Sequence, residues 1–401
     1  MIMGMMPRER ILSAINHKEP DKVPVDFGAM RSTGIMAVEY NRLKKYLKKK
    51  KSETFVYDLF QQLAEPEDWI IDKFNADVVQ LHRLRPAFGF SILRRKLGKL
   101  PDGSPCTYPS DFNPVPHDSG QALIENGRVT VFRPESSYVF YQVYHPLSGI
   151  RDPKEINKFA FPTVEDDEFE YLKKRSWELR NSTDRAILGA FGGNVIESGQ
   201  FDFGYEEFLT LMITEPDLVH HYFRRLTDHW ISSLDQYIKA VTDNIDIIQV
   251  GDDLGTQQSP IISPEMYHKM VNPYHKEIFQ YIKRHSHYKV FLHSCGAIAD
   301  LIPDLIDAGV DILNPVQTSA KGMDPVFLKK EFGKDITFWG GACETQTTLF
   351  NGTPKEVQEE AKKRIEIFAP DGGFVFTQIH NILVGVPPEN VVALYETPKF
   401  L

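Results

Sequence analysis

The chain has 401 residues, and 42% of them are hydrophobic, which is enough to bury a large core. Its net charge of −9 argues against nucleic acid or an anionic membrane as the main partner. Three cysteines do not indicate a disulfide framework, no apolar run approaches the roughly 20 residues that span a bilayer, and the first residues lack the apolar stretch of a secretory signal. We therefore expect a cytoplasmic protein.

Short apolar runs rich in β-branched residues recur along the chain, and amphipathic helical patterns separate them. Their continuous apolar character is typical of strands in a parallel sheet that is covered on both faces. The predicted strands are 23–28, 76–84, 186–192, 246–253, 289–296, 310–317, 336–342 and 373–380. Eight strands alternating with helices predict an α/β fold, a (β/α)8 TIM barrel. An open doubly wound sheet is the alternative, but it needs a switch point that the sequence does not indicate.

Residues 85–150 interrupt this alternation between the second and third predicted strands. Within them, 125–146 alternates between apolar and polar residues in the manner of an antiparallel β-hairpin. We expect one TIM-barrel domain over residues 1–401, with an insertion at about 85–150 that lies over the barrel mouth.

Polar side chains gather where the later strands are predicted to end. TIM-barrel active sites are built at the C-terminal ends of the strands, so these residues are candidates for the site. They are Asp252 and Asp253 after the fourth strand, His293 and Cys295 at the fifth, Cys343 and Glu344 after the seventh, and Gln378 and His380 at the eighth.

His293 and Cys295, in "VFLHSCGAI", are two positions apart and project together if the strand persists that far. An imidazole nitrogen and a thiolate sulfur are good ligands for zinc. A zinc site needs about four ligands, and His380 and Cys343 are the best candidates for the other two. The alternative for the His-x-Cys pair is a buried cysteine beside a hydrogen-bonded histidine, and Cys343 also fits as an apolar filler.

Three acidic residues are oxygen donors in reserve for such a site: Glu344, Asp252 and Asp253. For the two aspartates, the alternative role is a helix cap or an arginine partner. Adjacent residues on an extended segment point in opposite directions, so we do not expect both aspartates to face one ligand.

Several stretches resemble the uroporphyrinogen decarboxylase superfamily. "PRERILSAINHKEPDKVPVDFGAMRSTG" is similar to its N-terminal opening. "HSCG", "GGACETQTTLFNGTPKEVQEEAKKRIE" and "GGFVFTQIHNILVGVPPENVVALYE" are similar to its C-terminal half. The resemblance covers the chain ends and most of the predicted barrel, but not residues 85–150. It implies the (β/α)8 fold and one of two chemistries: metal-free decarboxylation, or zinc-dependent methyl transfer between corrinoid proteins and thiols.

Two departures from the family's patterns argue against the decarboxylase. After the first strand this chain keeps Arg31 of a pattern like Met-Arg-Gln-Ala-Gly-Arg but lacks the second arginine, and the essential aspartate after the second strand is missing from 80–84. The methyltransferases carry His-x-Cys on the fifth strand, which His293 and Cys295 match. They also carry a cysteine nine residues before Glu389, where this chain has His380. The decarboxylase has a histidine near that point too, so His380 alone does not discriminate.

The resemblance thus implies a zinc methyltransferase that moves a methyl group between a corrinoid protein, the source of methylcobalamin, and a thiol or a methylated small molecule. Of the candidate zinc ligands, His293, Cys295 and His380 stand at positions that the resemblance implies, and Cys343 is the fourth candidate although the family more often has an apolar or acidic residue there. Candidates to bind an anionic substrate are Arg31 and Arg83, with Gln378 also expected to contact substrate. His82 and Asp252 are candidate catalytic residues, although structural roles are the alternative for each. The rival functions are a metal-free decarboxylase and a non-catalytic tetrapyrrole or corrinoid carrier.

Overall fold

The computed structural model describes residues 4–49, 52–162 and 164–400. Its core is a curled seven-stranded parallel sheet with the strand order β16-β15-β14-β13-β12-β11-β4. The strands in chain order are β1 (Ile35–Met36), β2 (Val56–Asp58), β3 (Leu63–Ala64), β4 (Val78–Leu81), β5 (Arg95–Lys99), β6 (Pro105–Pro109), β7 (Val115–His117), β8 (Gly120–Glu125), β9 (Arg128–Pro134), β10 (Tyr141–Gln142), β11 (Ala186–Gly192), β12 (Ile247–Gly251), β13 (Lys289–His293), β14 (Ile312–Asn314), β15 (Thr337–Trp339) and β16 (Phe374–Val375).

Helices connect the parallel strands and cover the sheet. They are α1 (Pro7–Ile15), α2 (Ala37–Tyr46), α3 (Asp68–Lys73), α4 (Pro153–Lys158), α5 (Asp166–Ser182), α6 (Ile196–Phe203), α7 (Tyr205–Thr214), α8 (Pro216–Val241), α9 (Pro264–Met266), α10 (Asn272–His285), α11 (Ile302–Ala308), α12 (Pro325–Phe332), α13 (Thr348–Asn351), α14 (Pro354–Phe368) and α15 (Pro388–Glu396). A π-helical turn, Tyr267–Val271, joins α9 to α10, and 3₁₀ turns lie at Arg31–Thr33, Thr242–Asn244, Ala299–Leu301 and Thr397–Phe400. Among the described helices, none combines the length and the apolar character needed to cross a bilayer.

Helix starts follow the capping signals of the sequence. Thr353 caps α14 in a capping box: its hydroxyl accepts from the amide of Glu356, and the Glu356 carboxylate accepts from the Thr353 amide at 2.7 Å. Ser263 caps α9 through its hydroxyl alone, which accepts from the amide of Met266 at 3.1 Å. Both helices begin at the proline that follows the capping residue, as the Ser-Pro and Thr-Pro signals predict.

The α/β class is confirmed, but the first of the eight predicted strands is reduced to one bridge. Val25 bridges Phe376 and accepts from the amide of Asp77 at 2.7 Å, so segment 24–26 lies between the two edge strands of the sheet. The segment goes no further because the Asp26 carboxylate accepts from the amide of Ala29 at 2.8 Å and turns the chain. Gly28 takes the positive φ of +74° that this turn requires.

The chain between β4 and β11 carries antiparallel strands. Strands β5 and β6 pair with each other, and β7 to β10 form a four-stranded sheet in the order β10-β9-β8-β7. The region contributes a separate small layer rather than strands of the parallel sheet.

The inner face of the parallel sheet sets the positions of the candidate site residues. One apolar layer inside the curl includes Val78, Leu188, Ile247, Phe291, Ile312 and Trp339. Because side chains two positions apart share a face, the next residues on that face are Gln80, Ala190, Gln249, His293 and Asn314. His293 is in register with Gly251 on one side and Asn314 on the other. A polar layer therefore lies directly above the apolar one, at the C-terminal ends of the strands.

Candidate metal centre

A cavity of about 480 Å³ opens at the C-terminal ends of the strands. Its floor is the polar layer of the sheet, and aromatic side chains form much of its wall. Lining residues that bear on the chemistry include Arg31, Ser32, His82, Arg83, Glu197, Asp253, His293 and His380. The cavity is thus in the place where barrel enzymes carry their active sites.

Three donor side chains converge at this cavity. His293, Cys295 and His380 each offer one ligand atom, and these atoms all lie within 4.8 Å of one another. Nε2 of His293 is 3.5 Å from Sγ of Cys295, and the rings of His293 and His380 are 5.8 Å apart between centroids. Although β13 ends at His293, the amide of Ser294 still bonds to the Asn314 carbonyl, so the extended course continues to the cysteine. Two nitrogens and one sulfur form a donor set that suits zinc.

Hydrogen bonds fix the orientation of His293. Its Nδ1 lies 2.8 Å from the side-chain oxygen of Asn314, whose amide nitrogen donates to the carbonyl of Trp339 at 2.9 Å. Because the amide nitrogen of Asn314 is used by Trp339, its side-chain oxygen faces the ring of His293. Nδ1 of His293 therefore carries the hydrogen, and its Nε2 faces Cys295 with a lone pair. The hydroxyl of Ser32 donates to the same Nε2 at 3.2 Å. Histidines that bind metals are typically oriented in this way by a partner on the other nitrogen.

The electrostatic environment also fits a divalent cation. Burial, together with the carboxylate of Asp253, raises the pKa of the Cys295 thiol well above its usual value. Burial and the neighbouring His293 lower the pKa of His380 to about 4, so this imidazole is neutral at pH 7 and free to bind a metal. A bound divalent ion would favour the thiolate form and so would lower the pKa of the Cys295 thiol again.

Two further carboxylates lie at this end of the cavity. Asp253 accepts from the amide of Cys295 at 2.9 Å, and the same oxygen is 3.6 Å from Nε2 of His293. Glu197, in the first turn of α6, is a residue that sequence reasoning missed. Burial and the charges of Asp253 and Asp252 raise its pKa to about 8. The signal available in the sequence was weak: Glu197 follows a glycine-rich stretch after the third strand.

Asp252 does not line the cavity and serves instead as the helix cap considered above. It is fully buried and accepts from the amides of Val195, Ile196 and Glu197 at 2.7 to 3.0 Å, which satisfies the start of α6. It also accepts from Nε2 of His275 at 3.0 Å. These four donors surround the carboxylate, so a catalytic role for Asp252 does not fit the structure.

Cys343 is separated from the other three proposed ligands. It is fully buried, and its Sγ lies 3.7 Å from the Glu360 carboxylate on α14. Within the described residues, the cluster of possible metal ligands contains His293, Cys295 and His380 without Cys343. After β15, Gly340 and Gly341 adopt positive φ values of +100° and +82°, and the chain turns so that the thiol faces α14. Glu344 likewise contacts this region, where its amide donates to Glu360.

The two arginines line the cavity but are already paired. Arg31 forms an ion pair with buried Asp58 and donates to the Pro86 carbonyl at 2.8 Å. Arg83 binds buried Glu168 at 2.6 Å and donates to the Phe191 carbonyl at 2.9 Å. The expectation that both hold an anionic substrate is therefore weakened by the structure, because each charge is matched by a carboxylate outside the cavity lining.

His82 and Gln378 have contrasting environments. His82 lines the cavity, packs against Tyr57 with ring centroids 4.3 Å apart and the rings tilted by 51°, and has a pKa lowered by burial. Its Nδ1 is buried and has no hydrogen-bond partner among the described residues. Gln378 is fully buried, donates to the Thr33 carbonyl at 2.9 Å and accepts from the hydroxyl of Tyr395. Its amide supports the wall and does not line the cavity.

The fold and the cavity together define an α/β protein of the barrel type with its candidate site at the strand ends. Residues 148–399 match the family described as "Uroporphyrinogen decarboxylase (URO-D)", and the chain belongs to this family. The resemblance found in the sequence is thereby confirmed at the level of the family.

Curated relatives and one solved structure extend this comparison. "Uroporphyrinogen decarboxylase 2, chloroplastic" from Oryza sativa subsp. japonica is 24% identical over 298 residues, which cover 67% of this chain and 71% of the relative. The protein of the same name from Arabidopsis thaliana is 24% identical over 306 residues, with the same coverage. The solved structure of a "methyltransferase from Methanosarcina mazei" matches 99% of both chains with a TM-score of 0.60 and 17% sequence identity. At this identity, the structural match shows a shared fold.

Proposed function

We propose that the protein is a zinc-dependent methyltransferase that moves a methyl group between a corrinoid protein and a thiol or methylated small molecule. The observation that carries this proposal is the convergence of His293, Cys295 and His380, whose donor atoms lie within 4.8 Å of one another beside the cavity. The similar fold of the Methanosarcina mazei methyltransferase is consistent with it. No Asp-x-His-x-x-Gly motif occurs in the sequence, so a separate protein is proposed to supply the methylcobalamin.

The three side chains would hold the zinc ion, and the cavity would hold the substrate beside it. Zinc in such a site keeps a substrate thiol in the thiolate form at neutral pH. Asn314 orients His293, and Asp253 fixes the backbone of Cys295 through its amide. The Asp253 side chain is 39% exposed, so it can pass the proton released by a thiol to solvent. The fourth position of the site is left to the substrate, as catalytic zinc sites require.

Elemental analysis of purified variants tests the metal centre. We expect about one zinc per chain in the wild type, and a large loss in His293→Ala and Cys295→Ala. Cys343→Ala is the matched control, because it removes a thiol that the structure places against Glu360 instead. Equal zinc content in all four proteins would overturn the proposal.

Metal-free decarboxylation is the second candidate, and the names of the 24% identical relatives favour it. Against it, the strand end at 80–84 carries no acid in this chain, while the cavity holds a soft donor set. The two functions are separated by assaying one preparation twice. Methyl transfer from methylcobalamin to a thiol, lost on chelation, supports our proposal. Decarboxylation of a porphyrinogen that survives removal of all metal supports the rival.

A further inference from the structure

The charged groups of the cavity are unevenly paired. The two arginines in its lining, Arg31 and Arg83, each bind a buried carboxylate. The two carboxylates in its lining, Glu197 and Asp253, have no lysine or arginine partner in the part of the chain that the structure describes. The cavity therefore offers unpaired acidic groups, rather than unpaired cationic groups, to a ligand.

Glu197 shares the cavity lining with the aromatic residues Trp230 and Phe191. The side chain of Asn194 donates to its carboxylate, and the Asn194 carbonyl accepts from the indole of Trp230 at 3.0 Å. The rings of Trp230 and Phe191 pack edge to face with centroids 5.9 Å apart. All four residues line the cavity, and we call them the Glu197 wall. A carboxylate next to aromatic faces attracts an ammonium group through its charge and through the ring quadrupoles.

A zinc ion at the candidate centre would not supply Glu197 with a cationic partner. Its two positive charges are balanced by the Cys295 thiolate and by Asp253, which lies 3.6 Å from His293. Glu197 then remains without a counter-charge. Burial and the neighbouring aspartates raise its pKa to about 8, so it is largely protonated at pH 7 in the empty cavity, and a bound ammonium group would favour its carboxylate form.

We infer that the small-molecule substrate is a thiol, or the corresponding methyl thioether, with a positively charged amino group at its non-reacting end, bound by the Glu197 wall. This inference rests on the proposed function, because the metal centre is what selects the sulfur end. It also replaces the expectation of an anionic substrate, since Arg31 and Arg83 are held by Asp58 and Glu168.

Three two-carbon thiols that differ only in their end group provide the test. They are 2-aminoethanethiol, which is cationic, 2-mercaptoethanol, which is neutral, and 2-mercaptoethanesulfonate, which is anionic. Calorimetric titration of the zinc-loaded, full-length protein at pH 7 is expected to give the tightest binding for the cationic thiol. In Glu197→Gln, binding of the cationic thiol should weaken about tenfold, and binding of the neutral thiol should not change. Thiol acidity differs among the three probes, but this comparison between proteins cancels that difference.

Glu206→Gln is the matched control, because Glu206 is an exposed glutamate on the neighbouring helix α7. It should leave all three affinities unchanged. The inference is overturned if Glu197→Gln does not selectively weaken the cationic thiol, or if the anionic thiol binds best to the wild type. Zinc content measured on the same preparations keeps the two proposals apart. Normal zinc without charge selectivity refutes only the substrate class, whereas zinc that is unaffected by His293→Ala and Cys295→Ala refutes the metal centre.

Discussion

The side-chain oxygen of Asn314 lies 2.8 Å from Nδ1 of His293, and this contact decides which nitrogen of the imidazole faces Cys295. Both residues are in register at the ends of neighbouring strands, β14 and β13. The pairing of the two strands therefore orients a candidate ligand from the side away from the cavity. Such partners affect metal affinity without touching the metal.

We predict that Asn314→Ala weakens zinc binding by about 10- to 100-fold, because the ring of His293 loses the partner that fixes its tautomer. Competition with a chromophoric chelator measures the affinity. Asn314→Asp is the informative comparison, since a carboxylate still accepts from Nδ1 while it loses the amide that donates to Trp339. We expect Asn314→Asp to retain most of the affinity, and equal losses in the two variants would contradict the orienting role.

Zinc affinity should fall as the pH falls. The Cys295 thiol has a raised pKa and is protonated in the metal-free protein at neutral pH, but it must bind as thiolate, so binding expels a proton. The logarithm of the affinity is therefore expected to drop by about one for each pH unit. His380, with its pKa lowered to about 4, is already neutral and adds no proton above pH 5. Chelator competition at pH 6, 7 and 8 measures the slope, and a pH-independent affinity would argue against a cysteine ligand.

The adjacent aspartates should respond differently to the same substitution. Asp252→Asn replaces a buried carboxylate that accepts from three backbone amides at the start of α6, and we expect a loss of about 2 kcal/mol in the free energy of unfolding. Asp253→Asn changes a partly exposed side chain and should leave that free energy nearly unchanged. Urea unfolding followed by circular dichroism compares them. Equal stability of the two variants would show that the cap is not important.

Arg83 is expected to act through Glu168 rather than through substrate. Arg83→Gln removes the 2.6 Å partner of buried Glu168, which keeps only the longer contact with Arg85 at 4.0 Å, and should lower the free energy of unfolding by about 3 kcal/mol. The double variant Arg83→Gln/Glu168→Gln should recover much of this loss, because it removes a buried charge that has lost its main partner. A double-mutant cycle from urea unfolding gives the coupling energy. If Arg83→Gln is fully stable but binds the anionic thiol more weakly, Arg83 would instead be a residue that binds the substrate.

The sequence predicted the parts of the site that depend on local periodicity. The alternation of side chains along a strand places Phe291 in the inner apolar layer, and this puts His293 in the cavity lining with Cys295 next to it. The same alternation predicted that Asp252 and Asp253 would not face one ligand. In the structure Asp252 caps α6, whereas Asp253 lines the cavity. Both outcomes could be predicted from the position and direction of a strand alone.

The sequence could not indicate features that depend on turns or on partners far along the chain. Cys343 was a reasonable ligand by its position after a strand, but the turn at Gly340 and Gly341 directs it to α14. The charges of Arg31 and Arg83 gave no sign that each would be held by a carboxylate, because the pairs span 27 and 85 residues of sequence.

The sequence by itself determined the α/β class, the family, and the His-x-Cys pair, because short-range periodicity and motif spacing are properties of the chain alone. Only the tertiary structure decided that His380 joins this pair, that Cys343 does not, and that Glu197 lines the cavity with no cationic partner among the described residues. The physical reason is that these relations arise from the curvature of the sheet and from burial. Both bring together residues that no local pattern connects.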